Sequence, residues 1–205
     1  MKLLIFDTET TSIRPGHICQ LSYITIDAST KPQKTEGKNF FITVDEMDPS
    51  AEAIHGFSLE KLYELSNGKY FEDMLEEFEN DFRDADFVIG HNVNFDIKFM
   101  KHELNCMGID YEPRNTFCTM NYYKNICKIL RPNGDYKNPK LEEVISFLNI
   151  SKDQISAKAN QLFQGSGNYH DARFDTAATY LLIIEGLKKG YIPAGYFSSQ
   201  NKRGY

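Results

Sequence analysis

The sequence predicts a single α/β domain in which strands and helices share one buried core. Its 205 residues are enough for one such domain and few for two. Short β-rich runs alternate with segments whose apolar residues recur at helical spacing. Composition agrees, since 41% of residues are apolar and 25% are charged, as in ordinary folded proteins. We expect residues 1–187 to form the domain and residues 188–205 a short C-terminal tail.

The first third of the chain predicts three strands. Residues 3–6, 18–26 and 39–44 are apolar runs rich in β-branched and aromatic side chains. The polar, Lys-rich stretch 27–38 separates the second run from the third and predicts a connection.

The rest of the chain predicts helices around two short strands. In residues 71–82 the apolar side chains recur at i, i+3, i+4, i+7 and i+11, so one face of a helix belongs to the core. The acidic opposite face predicts a solvated surface that repels nucleic acid. Residues 87–90 predict a buried strand that leads through a polar turn into a helix, and residues 116–119 a weak strand. Further helices are expected over residues 120–130, 140–148 and 171–187, with a loop at 131–139.

Charge and cysteine content exclude several classes of protein. The formal net charge of -6 argues against a broad basic surface for capturing duplex nucleic acid, so contacts with nucleic acid should be local and directed at strand ends. We therefore expect salt-sensitive and mostly distributive attack on a strand. The four cysteines lack zinc-finger spacing, which predicts reduced, mostly buried thiols in a cytoplasmic protein. The apolar N-terminal run stops at Asp7, so neither a targeting segment nor a membrane helix is expected.

Two carboxylates stand at the exit of the first predicted strand. Asp7 and Glu9, in the run FDTETTS, project from the same side because strand side chains alternate between faces. One interpretation is a turn residue followed by a surface acid. The other is a site for a hard divalent cation such as Mg²⁺ or Mn²⁺, which binds carboxylate oxygens and relieves the repulsion between the acids. A metal site requires further acids from elsewhere in the chain.

Asp96 and Asp175 are the candidates for those further acids. Asp96 follows a strand and a turn, where it can face the sheet edge that bears the first pair; alternatively it is a helix N-terminal acid favoured by the helix dipole. His170 precedes Asp175 by five residues, which on a helix would set them about 140° apart. We therefore place His170 in the loop before the helix, with a surface or capping histidine as the alternative.

Four segments, in order, resemble the DEDDh branch of the DnaQ-like 3′ to 5′ exonucleases, a family that includes the proofreading epsilon subunit of bacterial DNA polymerase III. FDTETTS resembles the first exonuclease motif, GHNVNFDIKFM the second, and HDARFD the third, whose H-x-A-x-x-D form marks the histidine branch. SAEAIHGFS resembles the stretch between the first two motifs. Ser12, where glycine is common, and Cys118, where an acid often precedes threonine, depart from the pattern without removing a catalytic group.

The resemblance implies an RNase H-like fold, with a central mixed β-sheet flanked by helices. It also implies a metal-dependent exonuclease that releases nucleoside 5′-monophosphates, using two Mg²⁺ or Mn²⁺ ions to stabilise the attacking and leaving oxygens. Asp7 would bridge the two ions, and Glu9 and Asp175 would complete the shell of the more buried one. Asp96 would hold the second ion partly through water. His170 would act as general base on a metal-bound water and swing in when substrate and metals are present.

At the substrate end, the resemblance implies contacts from Thr10, Ile54, His55 and Phe95 to the terminal nucleotide. Phe95 would stack on any base, and the alternative is that it packs in the core. For His55 the alternative is a structural histidine in a turn. The implied partner is a single-stranded or frayed 3′ end, with DNA preferred and RNA as the alternative. The resemblance leaves open whether the protein works with a polymerase, but the short tail favours a free-standing enzyme. A catalytically silent module that holds 3′ ends is a further hypothesis.

Overall fold

The sheet contains strands of both directions. In the computed structural model, which describes residues 1–14, 16–165 and 167–200, the strands are β1 (Lys2–Thr10), β2 (Ile18–Asp27), β3 (Lys34–Phe41), β4 (Phe87–Gly90) and β5 (Thr116–Cys118). Their order across the sheet is β3-β2-β1-β4-β5. β1, β2 and β3 are antiparallel neighbours, whereas β4 and β5 run parallel to β1 on its other side. The expected mixed sheet is confirmed.

Helices cover both faces of this sheet. In the described residues they are α1 (Pro49–His55), α2 (Leu59–Ser66), α3 (Leu75–Asp84), α4 (Val93–Cys106), α5 (Thr119–Cys127), α6 (Leu141–Phe147), α7 (Lys152–Phe163), α8 (Ala172–Lys188) and α9 (Tyr196–Gln200). No helix in the described ranges has the length and apolar character needed to cross a membrane.

Alternation along β1 divides the core into two layers. Leu3 and Ile5 belong to the buried cluster that includes the α8 residues Phe174 and Ala178. Leu4 and Phe6 point the other way, into a cluster with residues of α3 and α4. Because side chains two apart share a face, Asp7 and Glu9 continue the side that α8 covers.

The structure differs from the prediction at two elements whose sequences are largely polar. β3 begins at Lys34, inside the stretch 27–38 that we expected to be a connection. As an edge strand it keeps polar side chains such as Lys34 and Glu36 in contact with solvent. α7 was not predicted, since it presents few apolar residues to the core. Its start was visible as a capping box, in which Ser151 and Gln154 bond each other's backbone N–H groups.

Within residues 189–199, apolar side chains pack onto the domain. Ile192 and Phe197 are buried in the same cluster as the α8 residues, and the Phe197 ring lies 5.3 Å from that of Phe87. Among the four cysteines only Cys19 is buried, so the expectation of mostly buried thiols was wrong.

Candidate active site

Three carboxylates meet at the end of β1. One oxygen of Asp7, one of Glu9 and one of Asp175 all lie within 4.8 Å of one another. The first two come from the exit of β1, where we predicted a pair on one face. Asp175 comes from the first turn of α8, which crosses that face of the sheet. Residues 166 apart in the chain are thereby brought to one point.

Asp96 joins this cluster from the other side of the sheet. β4 pairs with β1 only over Leu3 to Ile5, so β1 continues beyond its neighbour with an open edge. α4 closes that edge: Asp96 Oδ1 accepts hydrogen bonds from the Thr8 backbone N–H (3.2 Å) and the Thr8 hydroxyl (2.8 Å). Asp96 is buried, and its charge raises the pKa of Asp7, so it lies near the three-carboxylate set. The prediction had placed it at a helix start facing Asp7, without its anchor on Thr8.

The start of α8 is held by a buried glutamine that sequence reasoning missed. Gln20, fully buried in β2, accepts a hydrogen bond from the Ala172 N–H (3.0 Å) and donates one to the Asp171 carboxylate (3.0 Å). Asp171 is the N-cap residue of α8 and also accepts hydrogen bonds from Arg173. The signal in the sequence was a polar residue inside the apolar run ICQLSYITI, because a buried amide needs partners.

Burial and repulsion from nearby carboxylates raise the pKa of all four acids. Burial is the largest cause for Asp7 and Glu9; the charge of Asp96 adds most to the effect on Asp7, and the charge of Asp175 most to that on Glu9. Burial likewise raises the pKa of Asp96 to about 7, although the hydrogen bonds from Thr8 oppose the rise. Burial also raises the pKa of Asp175 to about 7, although the hydrogen bond from the His170 backbone N–H opposes the rise. Ionising these acids together therefore costs free energy, which a bound cation would offset.

The donor atoms suit a divalent cation. Asp175 Oδ2 accepts the His170 backbone N–H at 3.1 Å, whereas Asp175 Oδ1 is buried with no hydrogen-bond partner among the described residues. A buried oxygen without a partner is costly, and a cation would satisfy it. Carboxylate oxygens are the ligands that Mg²⁺ and Mn²⁺ prefer. The residues therefore fit the metal site that the resemblance implied.

His170 lies in the loop immediately before α8, as predicted. Its backbone has φ +65°, a left-handed conformation that is uncommon for residues other than glycine. Its side chain is exposed, while its backbone N–H is tied to Asp175. Burial lowers the pKa of His55 and the charge of His170 lowers it further, which places the two imidazoles near each other.

The four predicted substrate residues occupy different environments. Thr10 is buried and its hydroxyl donates to the Ser12 carbonyl (2.9 Å), whereas Ile54 at the end of α1 is 55% exposed. His55 acts as a turn histidine, since its Nδ1 accepts the Phe57 N–H at 3.1 Å, yet the Thr10 backbone lies close enough to affect its pKa. Phe95 is partly buried, with its ring 4.8 Å from that of Phe99.

Comparison with known sequences places this geometry in a family. Residues 4–183 match a family model described as exonuclease. The DNA polymerase III subunit epsilon of Salmonella typhimurium is 33% identical over 121 residues, which are 56% of this chain and 48% of that protein. The 3′-5′ exonuclease DinG of Staphylococcus haemolyticus is 28% identical over 125 residues, 61% of this chain and 12% of that protein. The chain thus spans about half the length of the epsilon subunits it matches, and less of DinG.

Solved structures show the same fold at low sequence identity. Escherichia coli exonuclease I in complex with a dT13 oligonucleotide superposes with a TM-score of 0.71 at 19% identity, covering 99% of this chain and 45% of that one. Exonuclease I from Methylocaldum szegediense gives a TM-score of 0.67 at 18% identity, covering 96% of this chain and 42% of that one. The RNase H-like fold is thereby confirmed. Since the family model spans nearly all of the described residues, the chain belongs to the exonuclease family.

Proposed function

We propose that this domain is a 3′ to 5′ exonuclease that hydrolyses the terminal phosphodiester of single-stranded or frayed DNA and releases nucleoside 5′-monophosphates. The observation that carries the proposal is the convergence of Asp7, Glu9 and Asp175, with one buried oxygen left unpaired, beside the exposed His170. The names of the relatives support it, since one is a 3′-5′ exonuclease and exonuclease I has been solved with single-stranded oligonucleotides.

The acids are proposed to hold two divalent cations, Mg²⁺ or Mn²⁺. Asp7, Glu9 and Asp175 supply oxygens for one, and Asp96 contributes to the second from across the sheet edge. When bound, the ions supply positive charge that stabilises the phosphoryl group during in-line displacement. Thr8 fixes one oxygen of Asp96 through two hydrogen bonds, which leaves the other oxygen for binding.

His170 is proposed as the general base. Its imidazole is exposed, and its backbone is held by Asp175, so the ring can turn while its attachment point stays beside the acids. An imidazole nitrogen there accepts a proton from the attacking water as the water oxygen bonds to phosphorus. The bond between phosphorus and the 3′ oxygen breaks, and that oxygen leaves with the rest of the strand and takes a proton from solvent. The loop position suits a group that moves in with substrate.

The terminal nucleotide is proposed to lie among Thr10, Ile54, His55 and Phe95. The side chain of Ile54 is exposed and that of Phe95 is partly exposed, so both offer apolar surface to a base without reading its identity. This arrangement fits an enzyme that accepts any unpaired 3′ end. RNA ends are the alternative substrate, and matched DNA and RNA oligonucleotides decide between the two.

The test is a time course with one oligonucleotide labelled at its 5′ end and another at its 3′ end, in Mg²⁺ or Mn²⁺. A 3′ to 5′ exonuclease shortens the 5′-labelled strand stepwise and releases the 3′ label first as a mononucleotide. Asp7→Asn should abolish both, whereas Glu76→Gln, which removes the same charge from an exposed site on α3, should change neither. Full activity in Asp7→Asn would refute the proposal. Activity of the purified chain alone would support a free-standing enzyme, and activity only with a polymerase present would contradict that.

A further inference from the structure

Positive charge is concentrated in one segment of this acidic chain. Residues 120–140 contain five Lys or Arg and a single acid, a formal charge of +4 within a chain whose formal net charge is -6. The cations are Lys124, Lys128, Arg131, Lys137 and Lys140. Because phosphate backbones are attracted by local positive charge and repelled by the acidic remainder, this segment is the natural place to look for a nucleic-acid contact.

Most of this segment is an ordered hairpin, residues 128–140, which we call the basic hairpin. The Lys137 N–H donates to the Ile129 carbonyl at 2.8 Å, and the Arg131 N–H donates to the Asp135 carbonyl at 2.7 Å. Leu130 and Tyr136 pair across it, so their side chains project from the same face. They are 64% and 36% exposed, which leaves an apolar, aromatic surface in contact with solvent.

The C-terminal end of the basic hairpin is anchored near the elements that carry the carboxylate cluster. His91, the first residue after β4, places its Nε2 at 3.0 Å from the Pro139 carbonyl, and the same turn leads into the helix that carries Asp96. α6 follows directly and packs against α8. The raised pKa of Asp175, caused mainly by burial, also contains a contribution from Glu142 in the first turn of α6. The C-terminal end of the hairpin therefore lies close to the elements that carry Asp96 and Asp175.

Two cations of the basic hairpin are available for a ligand. Two others are already paired: Lys137 forms an ion pair with Glu143, and Lys140 Nζ lies 3.6 Å from Glu142 Oε1. Lys128 and Arg131 are exposed and form no ion pair with any other residue that the structure describes. Single-strand binding surfaces combine such cations with an aromatic ring, because phosphates meet the charges while bases stack on the ring.

We propose that the basic hairpin binds the single strand on the 5′ side of the terminal nucleotide, with Lys128 and Arg131 contacting phosphates and Tyr136 stacking on a base. The inference rests on the proposed function, since the carboxylate cluster defines where the 3′ end lies. It adds a second contact, outside the site of hydrolysis, through which the protein holds a strand longer than the terminal nucleotide.

The test measures binding without hydrolysis. A fluorescent oligodeoxythymidylate of about 20 nucleotides, with phosphorothioate linkages at its 3′ end, is titrated with protein in EDTA between about 50 and 200 mM salt. Lys128→Glu/Arg131→Glu is compared with Lys34→Glu/Lys188→Glu. The control changes the net charge equally at exposed cations. Lys34 pairs with Asp27, the last residue of β2, which lies opposite Lys2 at the start of β1 and so at the end of that strand away from Glu9.

We expect the hairpin variant to raise Kd at least about tenfold at the lowest salt and the control variant less than about twofold. The slope of log Kd against log salt should fall by about 1.4 for two lost phosphate contacts. Tyr136→Ala should weaken binding several-fold with an unchanged slope. Thermal midpoints equal to that of the wild type verify folding. Equal effects of the two charge variants, or no effect of either, would overturn the inference. A wild-type protein that binds in this way but never hydrolyses an unmodified strand would instead refute the exonuclease proposal alone.

Discussion

Replacing one acid of the cluster should stabilise the metal-free protein. The perturbation is Asp175→Asn, which keeps the shape of the side chain and an acceptor for the His170 N–H. Burial raises the pKa of Asp175 from 3.8 to about 7. The folded protein therefore binds this proton more tightly than the unfolded chain does. Stability from this group is complete below pH 3.8 and is lost as the pH rises towards about 7.

The magnitude follows from the difference between the two pKa values. Each pKa unit corresponds to about 1.4 kcal/mol, so about three units give about 4 kcal/mol at pH 8 when no cation is bound. Entry of water into the charged pocket reduces this cost, and we expect Asp175→Asn to raise the free energy of unfolding by about 2 to 4 kcal/mol. At pH 5 the gain should shrink by more than half, because the wild-type carboxyl is then protonated.

The assay is urea unfolding in EDTA at pH 8 and pH 5, followed by tyrosine fluorescence, since the chain has 12 Tyr and no Trp. Asp171→Asn is the matched control in the same pocket. Although burial acts in the other direction, hydrogen bonds from Arg173 and Gln20 hold the pKa of Asp171 below its usual value. Losing its charge should therefore destabilise the fold by about 1 to 3 kcal/mol. An Asp175→Asn protein no more stable than the wild type at pH 8 would refute the reasoning.

Three further predictions concern the same site. Mg²⁺ at a hundredfold excess over Kd should stabilise the wild type at pH 8 by about 2.7 kcal/mol and so raise its thermal midpoint. The midpoint of Asp7→Asn should rise less, and equal shifts of the two proteins in scanning fluorimetry would contradict this. Thr8→Val, which removes the hydroxyl that holds Asp96, should lower the free energy of unfolding by about 1 to 2 kcal/mol and the hydrolysis rate about tenfold. Thr8→Ser should stay close to the wild type, and equal rates of the Val and Ser variants would argue against that role. His170→Ala should lower kcat by about 10² to 10⁴ without changing the Mg²⁺-induced shift, and a loss below about tenfold would exclude a general base.

Local periodicity was enough to predict the elements that supply the acids. Asp7 and Glu9 share a face because any strand alternates, and α3 was visible in its apolar spacing. The position of His170 in a loop followed from its spacing to Asp175. Each of these predictions needs only the geometry of one element.

The remaining features depend on which elements become neighbours. Asp96 is held by Thr8 only because β4 stops pairing after Ile5 and leaves an edge of β1 open. Two partners of Gln20, Asp171 and Ala172, lie more than 150 positions away in the chain, at the start of α8. The positive charge of residues 120–140 can be counted from the sequence alone. Its closeness to the acids required the contact of His91 with Pro139.

The most direct test of the central claim is a crystal of this protein soaked in Mn²⁺ and measured for anomalous scattering. The claim is that acids distant in the chain form one cation site at the end of β1. It predicts an anomalous peak about 2.0 to 2.3 Å from oxygens of Asp7, Glu9 and Asp175. Manganese bound only elsewhere, with these three carboxylates free of metal, would contradict it.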